Sequence, residues 1–197
     1  MPEPLPPVLH TARLTLRPLA DGDGPALFTI FSDPEVVRYW SRSAWTEMSQ
    51  ADDMLVAAAA GYADASGLRY GIVVTASGEL IGVASLFAFD RSNRRCDLGY
   101  VLGSRHWGQG YATEALVPVL GHAFGALDMN RIEADIDPRN TGSRKVLEKL
   151  AFRREGFMPE RWIVHGETAD TEFYGLLKRY WEDRTASVRR PARPVSP

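Results

Sequence analysis

The centre of the chain contains the sequence Arg105-His106-Trp107-Gly108-Gln109-Gly110-Tyr111-Ala112-Thr113-Glu114. It follows a strand-like run at residues 97–102 and leads into a helix-like run at residues 114–124. The first turn of a helix has backbone N–H groups without intrahelical partners and a partial positive charge, which together favour an anion such as phosphate. Gly108 and Gly110 lack a Cβ atom and so let that anion approach the main chain closely.

The best-known glycine-rich phosphate loops differ from this stretch. The dinucleotide-binding fingerprint has a third glycine where this chain has Thr113. The P-loop ends in Gly-Lys-Ser/Thr, which this chain lacks. A tight helix start whose glycines serve packing alone stays open on these residues.

The pattern Arg105-x-x-Gly108-x-Gly110 resembles the acyl-CoA pyrophosphate loop of the GNAT superfamily of N-acetyltransferases. Three further segments resemble the same superfamily in the expected order: residues 11–19, residues 140–156 and the closing residues 161–177. Their form is typical of the RimJ/RimL-like branch, named for ribosomal-protein alanine N-acetyltransferases. The resemblance covers about residues 11–180.

Length and composition are those of one soluble domain. With 197 residues, a formal net charge of −2 and a single cysteine, we expect a cytoplasmic protein without a basic surface for nucleic acid. No signal-peptide pattern or membrane-length apolar run is visible, so no membrane partner is expected. We expect an extended lead-in at residues 1–10, the domain at 11–180 and a mobile Arg/Pro-rich tail at 181–197.

The order of predicted strands and helices indicates an α/β domain with a mixed sheet. The sequence predicts that strands at about 152–157, 160–165 and 170–178 close this sheet. The resemblance implies a mostly antiparallel central sheet flanked by helices, with two strands splayed apart around the acyl-CoA site.

The resemblance implies acetyl-CoA as co-substrate, with its pantetheine arm between the splayed strands. The residues it implies for acyl-CoA binding are Val101, Leu102, Arg105, Trp107, Gly108, Gln109, Gly110, Tyr111, Ala112, Asn140 and Ser143. The four histidines do not cluster in the sequence, so no metal is expected.

Acyl transfer from a thioester to an amine needs a stabilised oxyanion and a proton for the leaving thiolate. The resemblance implies a backbone N–H near Val101 or Leu102 for the oxyanion. Many superfamily members carry a tyrosine acid seven residues past the asparagine, where this chain has Leu147. Ser143 is then the candidate acid; alternatively, it only satisfies N–H groups at the start of its helix.

The proton acceptor for the amine is predicted among acidic residues on the strands beside the site. Asp97 and Glu133 are the main candidates, and Asp135 and Asp137 alternate with Glu133 along one strand face. Glu160 is a further candidate, and a solvated strand face is the alternative for each of them. Cys96 is interpreted as a structural residue, because direct transfer needs no nucleophilic cysteine.

The sequence therefore predicts an acetyl-CoA-dependent N-acetyltransferase that modifies a primary amine, on a protein N-terminus or a small molecule, in a ternary complex. A catalytically silent acyl-CoA-binding module is the alternative, and a nucleotide-binding protein with the same loop is a third. Tyr39, Trp40 and Trp45 either line the acceptor pocket or fill the core. A monomer and a homodimer are both compatible with the sequence.

Overall fold

The computed structural model describes residues 6–164 and 166–189. Its strands are β1 Leu9–His10, β2 Leu14–Pro18, β3 Leu68–Val74, β4 Leu80–Asp90, β5 Arg95–Leu102, β6 Arg131–Ile136, β7 Arg153–Val164 and β8 Glu167–Leu177. Its helices are α1 Gly24–Phe31, α2 Pro34–Val37, α3 Ser49–Asp64, α4 Tyr111–Phe124, α5 Thr141–Lys149 and α6 Lys178–Arg189. Within the described ranges, no helix combines the length and the apolar character that a membrane crossing requires.

All eight strands form one sheet in the order β1-β2-β3-β4-β5-β6-β8-β7. Every neighbouring pair is antiparallel except β5 and β6, which run parallel. A parallel pair needs a crossover connection, and α4 supplies it. The mixed, mostly antiparallel sheet expected from the sequence is confirmed.

The helices cover both faces of the sheet. The ring of Tyr70 on β3 meets His122 of α4, whereas Arg69, the residue before it, lines a cavity bounded by α3. Successive side chains of a strand point to opposite faces, so α3 and α4 lie on opposite sides. The apolar face of α4 includes the fully buried Leu116 and Leu120, each contributing about 1.5–3 kcal/mol by burial.

The parallel strands β5 and β6 stay together over only part of their length. Their register comprises three pairs, of which Asp97 opposite Glu133 is the last. Beyond it β5 continues to Leu102 beside β4, and β6 continues to Ile136 beside β8. The sheet therefore opens between the two strands next to the end of β5, which agrees with the splayed strands expected from the sequence.

The closing part of the sheet differs from the sequence prediction. Instead of three strands, β7 and β8 form one long hairpin, and the register shifts between Met158 and Trp162. Pro159 and Glu160 lie in this shift, and Glu160 has a positive φ of 50°. The strand absorbs these residues as a bulge, so residues 153–164 form one strand where two were expected.

Residues 181–189 are helical, although an irregular tail was expected to begin at residue 181. They continue α6, whose Trp181 is only 7% exposed and stacks on Phe124 of α4 with ring centroids 6.2 Å apart. Because residues 181–197 are rich in arginine and proline, the sequence did not indicate that Trp181 packs into the core. At the other end, Leu9–His10 pairs with β2 as a short strand within the expected lead-in. The parts of the lead-in and tail at residues 1–5 and 190–197 lie outside the described residues.

Candidate active site

The loop after β5 is shaped by two glycines in the left-handed region. Gly108 has a φ of +74° and Gly110 a φ of +81°, conformations that other residues adopt only at a cost. A Cβ atom added at Gly108 would meet no protein atom within 4 Å. The glycine at 108 is thus required by the backbone conformation and leaves open space above the loop.

The first turn of α4 presents its N–H groups toward this space. Gly110 is the N-cap, and no side chain caps it in the described structure. The carbonyl of Gln109 is engaged elsewhere, since it accepts a 3.0 Å hydrogen bond from Nη2 of Arg13. Donors without acceptors at a helix N-terminus fit an anion, so this loop suits the pyrophosphate of an acyl-CoA.

The acid in the first turn of α4 holds the loop to the N-terminal strand. The carboxylate of Glu114 accepts hydrogen bonds from the Thr11 hydroxyl at 2.6 Å and from Nε of Arg13 at 2.7 Å. Burial works to raise the pKa of Glu114, but these hydrogen bonds lower it below its usual value. Arg13 also lies over the ring of Tyr111, 4.3 Å from its centroid. These contacts among Thr11, Arg13 and Glu114 form a brace that engages the carboxylate of Glu114 and connects the loop to the N-terminal strand.

The hydrogen-bond register decides which backbone N–H faces the opening between β5 and β6. The N–H of Gly103 donates to Ile81 of β4 at 2.9 Å. Since the hydrogen-bonding direction alternates along a strand, Val101 also faces β4, and Leu102 and Tyr100 face the opening. The carbonyl of Leu102 accepts a 2.8 Å hydrogen bond from the Trp107 indole. Of the two predicted oxyanion donors, only Leu102 has its N–H on the correct side.

Asn140 and Ser143 lie together at the start of α5, beside the opening. The side chain of Asn140 is the cap, because its Oδ1 accepts the N–H of Ser143 at 3.0 Å. In the described structure the side-chain acceptor that caps α5 is therefore Asn140, and the role of the Ser143 hydroxyl as an acid stays a prediction. Leu147, which replaces the usual tyrosine, is fully buried.

Tyr100 is a residue of this site that the sequence analysis did not single out. Its hydroxyl donates to the carbonyl of Ser143 at 3.2 Å and so ties β5 to α5 across the opening. Burial raises the pKa of Tyr100 to about 12, which keeps the phenol protonated. Its place among residues facing the opening could have been predicted only from the register of β5.

A cavity of about 660 Å³ extends from the opening, between the sheet and the segment from α1 to α3. Val101, Asn140 and Ser143 line it, as do the predicted pocket aromatics Tyr39, Trp40 and Trp45. Trp45 stacks on Phe31 with centroids 4.5 Å apart. Trp40 also packs against Phe31, with centroids 5.4 Å apart, so the two tryptophans belong both to the cavity wall and to the core beside it. An acceptor-binding role for the three aromatics stays a prediction.

The predicted carboxylates differ in their surroundings. Glu133 forms ion pairs with Arg95 at 3.1 Å and with Arg131 at 2.6 Å, which favours a structural role for this carboxylate. The pKa of Asp97 is raised, first by burial and then by its neighbours Glu133 and Asp135. Neither Asp97 nor Glu133 is among the residues that line the cavity.

The other acidic candidates lie closer to the cavity. Asp135 and Asp137 both line it, and Asp137 is held by Arg139 at 2.6 Å. Glu160 is in the bulge of β7, where its N–H donates to Asp170 at 2.8 Å. Asp135 is thus the sequence candidate best placed to meet an acceptor in the cavity.

Cys96 is fully buried, and burial raises the pKa of its thiol to about 12. A thiol held protonated in the core is not a nucleophile, which agrees with its interpretation as a structural residue. In the described part of the chain, no group of three or more His, Cys, Asp or Glu side chains is placed to hold a metal ion.

The fold and this arrangement of loop and opening match known acetyltransferases. Residues 13–153 match the family model described as acetyltransferase (GNAT) domain. A Bacillus licheniformis protein, uncharacterized N-acetyltransferase p20, is 37% identical over 171 residues, which cover 87% of this chain and 96% of that protein. The Bacillus subtilis protein uncharacterized N-acetyltransferase YoaA is 35% identical over 172 residues, covering 87% and 97%.

A solved structure has the same fold. The crystal structure of spermidine N-acetyltransferase from Vibrio cholerae in complex with CoA and spermine superposes with a TM-score of 0.78 at 19% identity, covering 87% of this chain and 99% of that one. The chain belongs to the GNAT family of acetyltransferases.

Proposed function

We propose that this protein transfers the acetyl group of acetyl-CoA to a primary amine by direct attack within a ternary complex. The observation that carries the proposal is the continuity of three features: the opening between β5 and β6, the glycine loop at the N-terminus of α4 and the cavity beside them. The opening offers unpaired backbone groups to an extended arm, and the loop offers N–H donors to phosphates.

The residues have separate tasks in this proposal. The loop N–H groups, with Arg105, bind the phosphates, and the backbone of Tyr100, which faces the opening, holds the pantetheine arm. The amine nitrogen attacks the thioester carbonyl carbon, and the oxygen that becomes negative accepts the N–H of Leu102. Preorganised donors of this type account for about 10²–10³ in rate. Acyl-CoA binding by Trp107, Gln109, Tyr111, Ala112 and Asn140 stays a prediction.

Two protons must move for the reaction to finish. The attacking amine loses one to a carboxylate beside the opening, Asp97 or Asp135, and the raised pKa of Asp97 suits a proton acceptor. The C–S bond then breaks, and the thiolate takes a proton from the Ser143 hydroxyl or from a water that it orients. The neutral phenol of Tyr100 positions α5 for this step through the Ser143 carbonyl.

The primary-amine acceptor is supported by the relative from Vibrio cholerae, whose structure contains CoA and spermine. The RimJ/RimL-like assignment is supported by the Asn140 cap and by Ser143 beside the opening. One observation favours the alternative of a silent acyl-CoA-binding module: Leu147, at the position of the usual tyrosine acid, is buried in the core.

The test is thiol release from acetyl-CoA in the presence of a panel of amines, with Gly108→Val beside the wild type. Because Gly108 has a positive φ and faces the proposed phosphate site, a Cβ there both strains the loop and obstructs the anion. We expect the KM for acetyl-CoA to rise at least about tenfold.

The matched control is Gly166→Val in the turn between β7 and β8. Gly166 has a similar φ of +83° and equally open surroundings, so the conformational strain is comparable. An equal rise in KM in both variants would mean that strain alone is responsible and would contradict the phosphate site. Tight CoA binding by calorimetry without turnover of any amine would favour the silent module.

A further inference from the structure

The cavity contains a partly buried arginine that neither the loop nor the opening uses. Arg69 is a charged residue within the otherwise apolar strand β3, and its side chain lines the cavity. Its strand neighbours across the sheet are Ser85 of β4 and Gly99 of β5, which line the cavity as well. With strands about 4.8 Å apart, Arg69 starts about 10 Å from the edge of β5 at which the sheet opens.

The backbone of Arg69 is held firmly. Its carbonyl accepts a hydrogen bond from the hydroxyl of Tyr62 on α3, and the same hydroxyl accepts the N–H of Leu19 at 3.1 Å. The guanidinium makes one long hydrogen bond, from Nη1 to the carbonyl of Met54 at 3.4 Å. The arginine is thus anchored at its base, and the donors at its tip are only weakly engaged.

Several other partly buried arginines of this protein have carboxylate partners. Arg17 pairs with Asp23 at 2.7 Å, Arg95 with Glu133 at 3.1 Å and Arg144 with Glu172 at 3.1 Å. In the described part of the chain, Arg69 forms no such ion pair. Because removing a guanidinium from water is costly without a partner, Arg69 is an unusual charge to keep at this position.

Among the described residues, none of the three aspartates that line the cavity forms an ion pair with Arg69. Four arginines and three aspartates line the cavity among the described residues. Asp137 is paired with Arg139 at 2.6 Å, and Asp170 accepts the N–H of Glu160. Arg38 in turn pairs with Glu35 at 3.6 Å, so Arg42 and Arg69 lie in the same cavity as Asp135 and Asp170, and the lining is close to neutral. A negative group on the acceptor is favoured by the weakly engaged guanidinium of Arg69, not by the charge of the cavity as a whole.

We propose that Arg69 binds a carboxylate on the acceptor, so that the substrate is an amine that also carries an acid, such as an amino acid or a short acidic peptide. The inference rests on the proposed acetyl transfer, with the amine at the opening and the carboxylate at the α3 side of the cavity. The planar guanidinium offers two parallel N–H donors to a carboxylate, and among the described residues only the Met54 carbonyl, at 3.4 Å from Nη1, competes for them.

The experiment compares pairs of acceptors that differ only in the negative charge. Aliphatic amines with a carboxylate at increasing distance from the amine are each paired with the corresponding carboxamide, and kcat/KM is measured by thiol release. We expect the wild type to prefer the carboxylate by about tenfold to hundredfold at one spacing, as charge-assisted hydrogen bonds commonly provide.

Substitutions at Arg69 assign the preference. In Arg69→Met, the ratio of kcat/KM for the carboxylate to kcat/KM for the carboxamide should fall to about one, chiefly through a higher KM for the carboxylate. Arg69→Lys should keep part of the preference. Arg91→Met, an exposed arginine that lies over Phe89 outside the cavity, should keep the full ratio. An unchanged melting temperature in Arg69→Met shows that its fold is intact.

The proposal is overturned if the wild type shows no preference in any pair, or if the preference survives in Arg69→Met. Turnover of the amides without any preference removes this inference and leaves the acetyltransferase. If no amine is turned over, calorimetry in the presence of CoA decides. Binding of the carboxylate to the wild type that is lost in Arg69→Met supports the carboxylate site even without turnover. Equal binding of the carboxylate and the carboxamide overturns the proposal.

Discussion

Asn140 and Ser143 occupy one turn of chain and have different tasks. Asn140 caps α5 by accepting the N–H of Ser143 at 3.0 Å, whereas the Ser143 hydroxyl lies at the cavity. From the sequence, either residue could be the cap, since asparagine and serine are both favoured there. The geometry separates a residue that stabilises the helix from one that is free to meet a substrate.

This separation predicts opposite effects of two alanine substitutions. Ser143→Ala should lower kcat by about 10²–10⁴-fold, because a positioned acid contributes on this scale, and leave the free energy of unfolding nearly unchanged. Asn140→Ala should destabilise the protein by about 1 kcal/mol through loss of the cap. Steady-state kinetics and urea unfolding of both variants measure this. A Ser143→Ala enzyme with full kcat would exclude the serine as the acid.

At the scale of elements, the parallel pair β5–β6 concentrates negative charge at the point where the strands separate. Asp97 and Glu133 are directly opposite each other there. Burial, Glu133 and Asp135 all raise the pKa of Asp97, so the folded protein binds a proton at Asp97 more tightly than the unfolded chain. An acid with a raised pKa destabilises the fold at neutral pH, and this cost disappears as the pH falls below its unfolded value of about 3.9.

Asp97→Asn should therefore raise the melting temperature at pH 7 in low salt, and the gain should vanish as the pH approaches about 4. Asp90→Asn on the same hairpin is the control with the opposite sign. The pKa of Asp90 is lowered by hydrogen bonds from Asn93, so its substitution brings no gain at pH 7. If Asp97→Asn lowered the melting temperature at pH 7, the carboxylate would be stabilising and the assignment wrong.

The last helix supplies a second test at this scale. Trp181 of α6 is buried against Phe124, and Arg184 lies 5.2 Å from its ring centroid. Trp181→Ala should cost about 3–5 kcal/mol in urea unfolding, as large buried aromatics do. Glu182→Ala, an exposed position on the same helix, should stay within about 0.5 kcal/mol of the wild type. Similar losses in the two variants would mean that α6 does not pack as described.

At the scale of the whole molecule, local patterns predicted the fold better than the site. The strand-like run at residues 97–102 and the glycines of the loop depend on neighbours in sequence, so they could be recognised directly. The single long strand β7 was not predicted, because its pairing with β8 accommodates Pro159 and Glu160 in a bulge that local sequence does not show. The cavity joins residues from α3, β3, β6 and β8, and no local pattern shows that Arg69 and Asp135 share it.

The brace between Glu114 and the N-terminal strand also has a consequence for synthesis. Thr11 and Glu114 are 103 residues apart, and Arg13 and Glu114 are 101 residues apart. At translation rates of about 5–20 residues per second, Thr11 and Arg13 are made roughly 5–20 s before Glu114. A nascent chain can pair β2 with β3 during this interval, but it cannot yet fasten the loop. The glycine loop can therefore be fastened only after the ribosome has synthesised the first turn of α4.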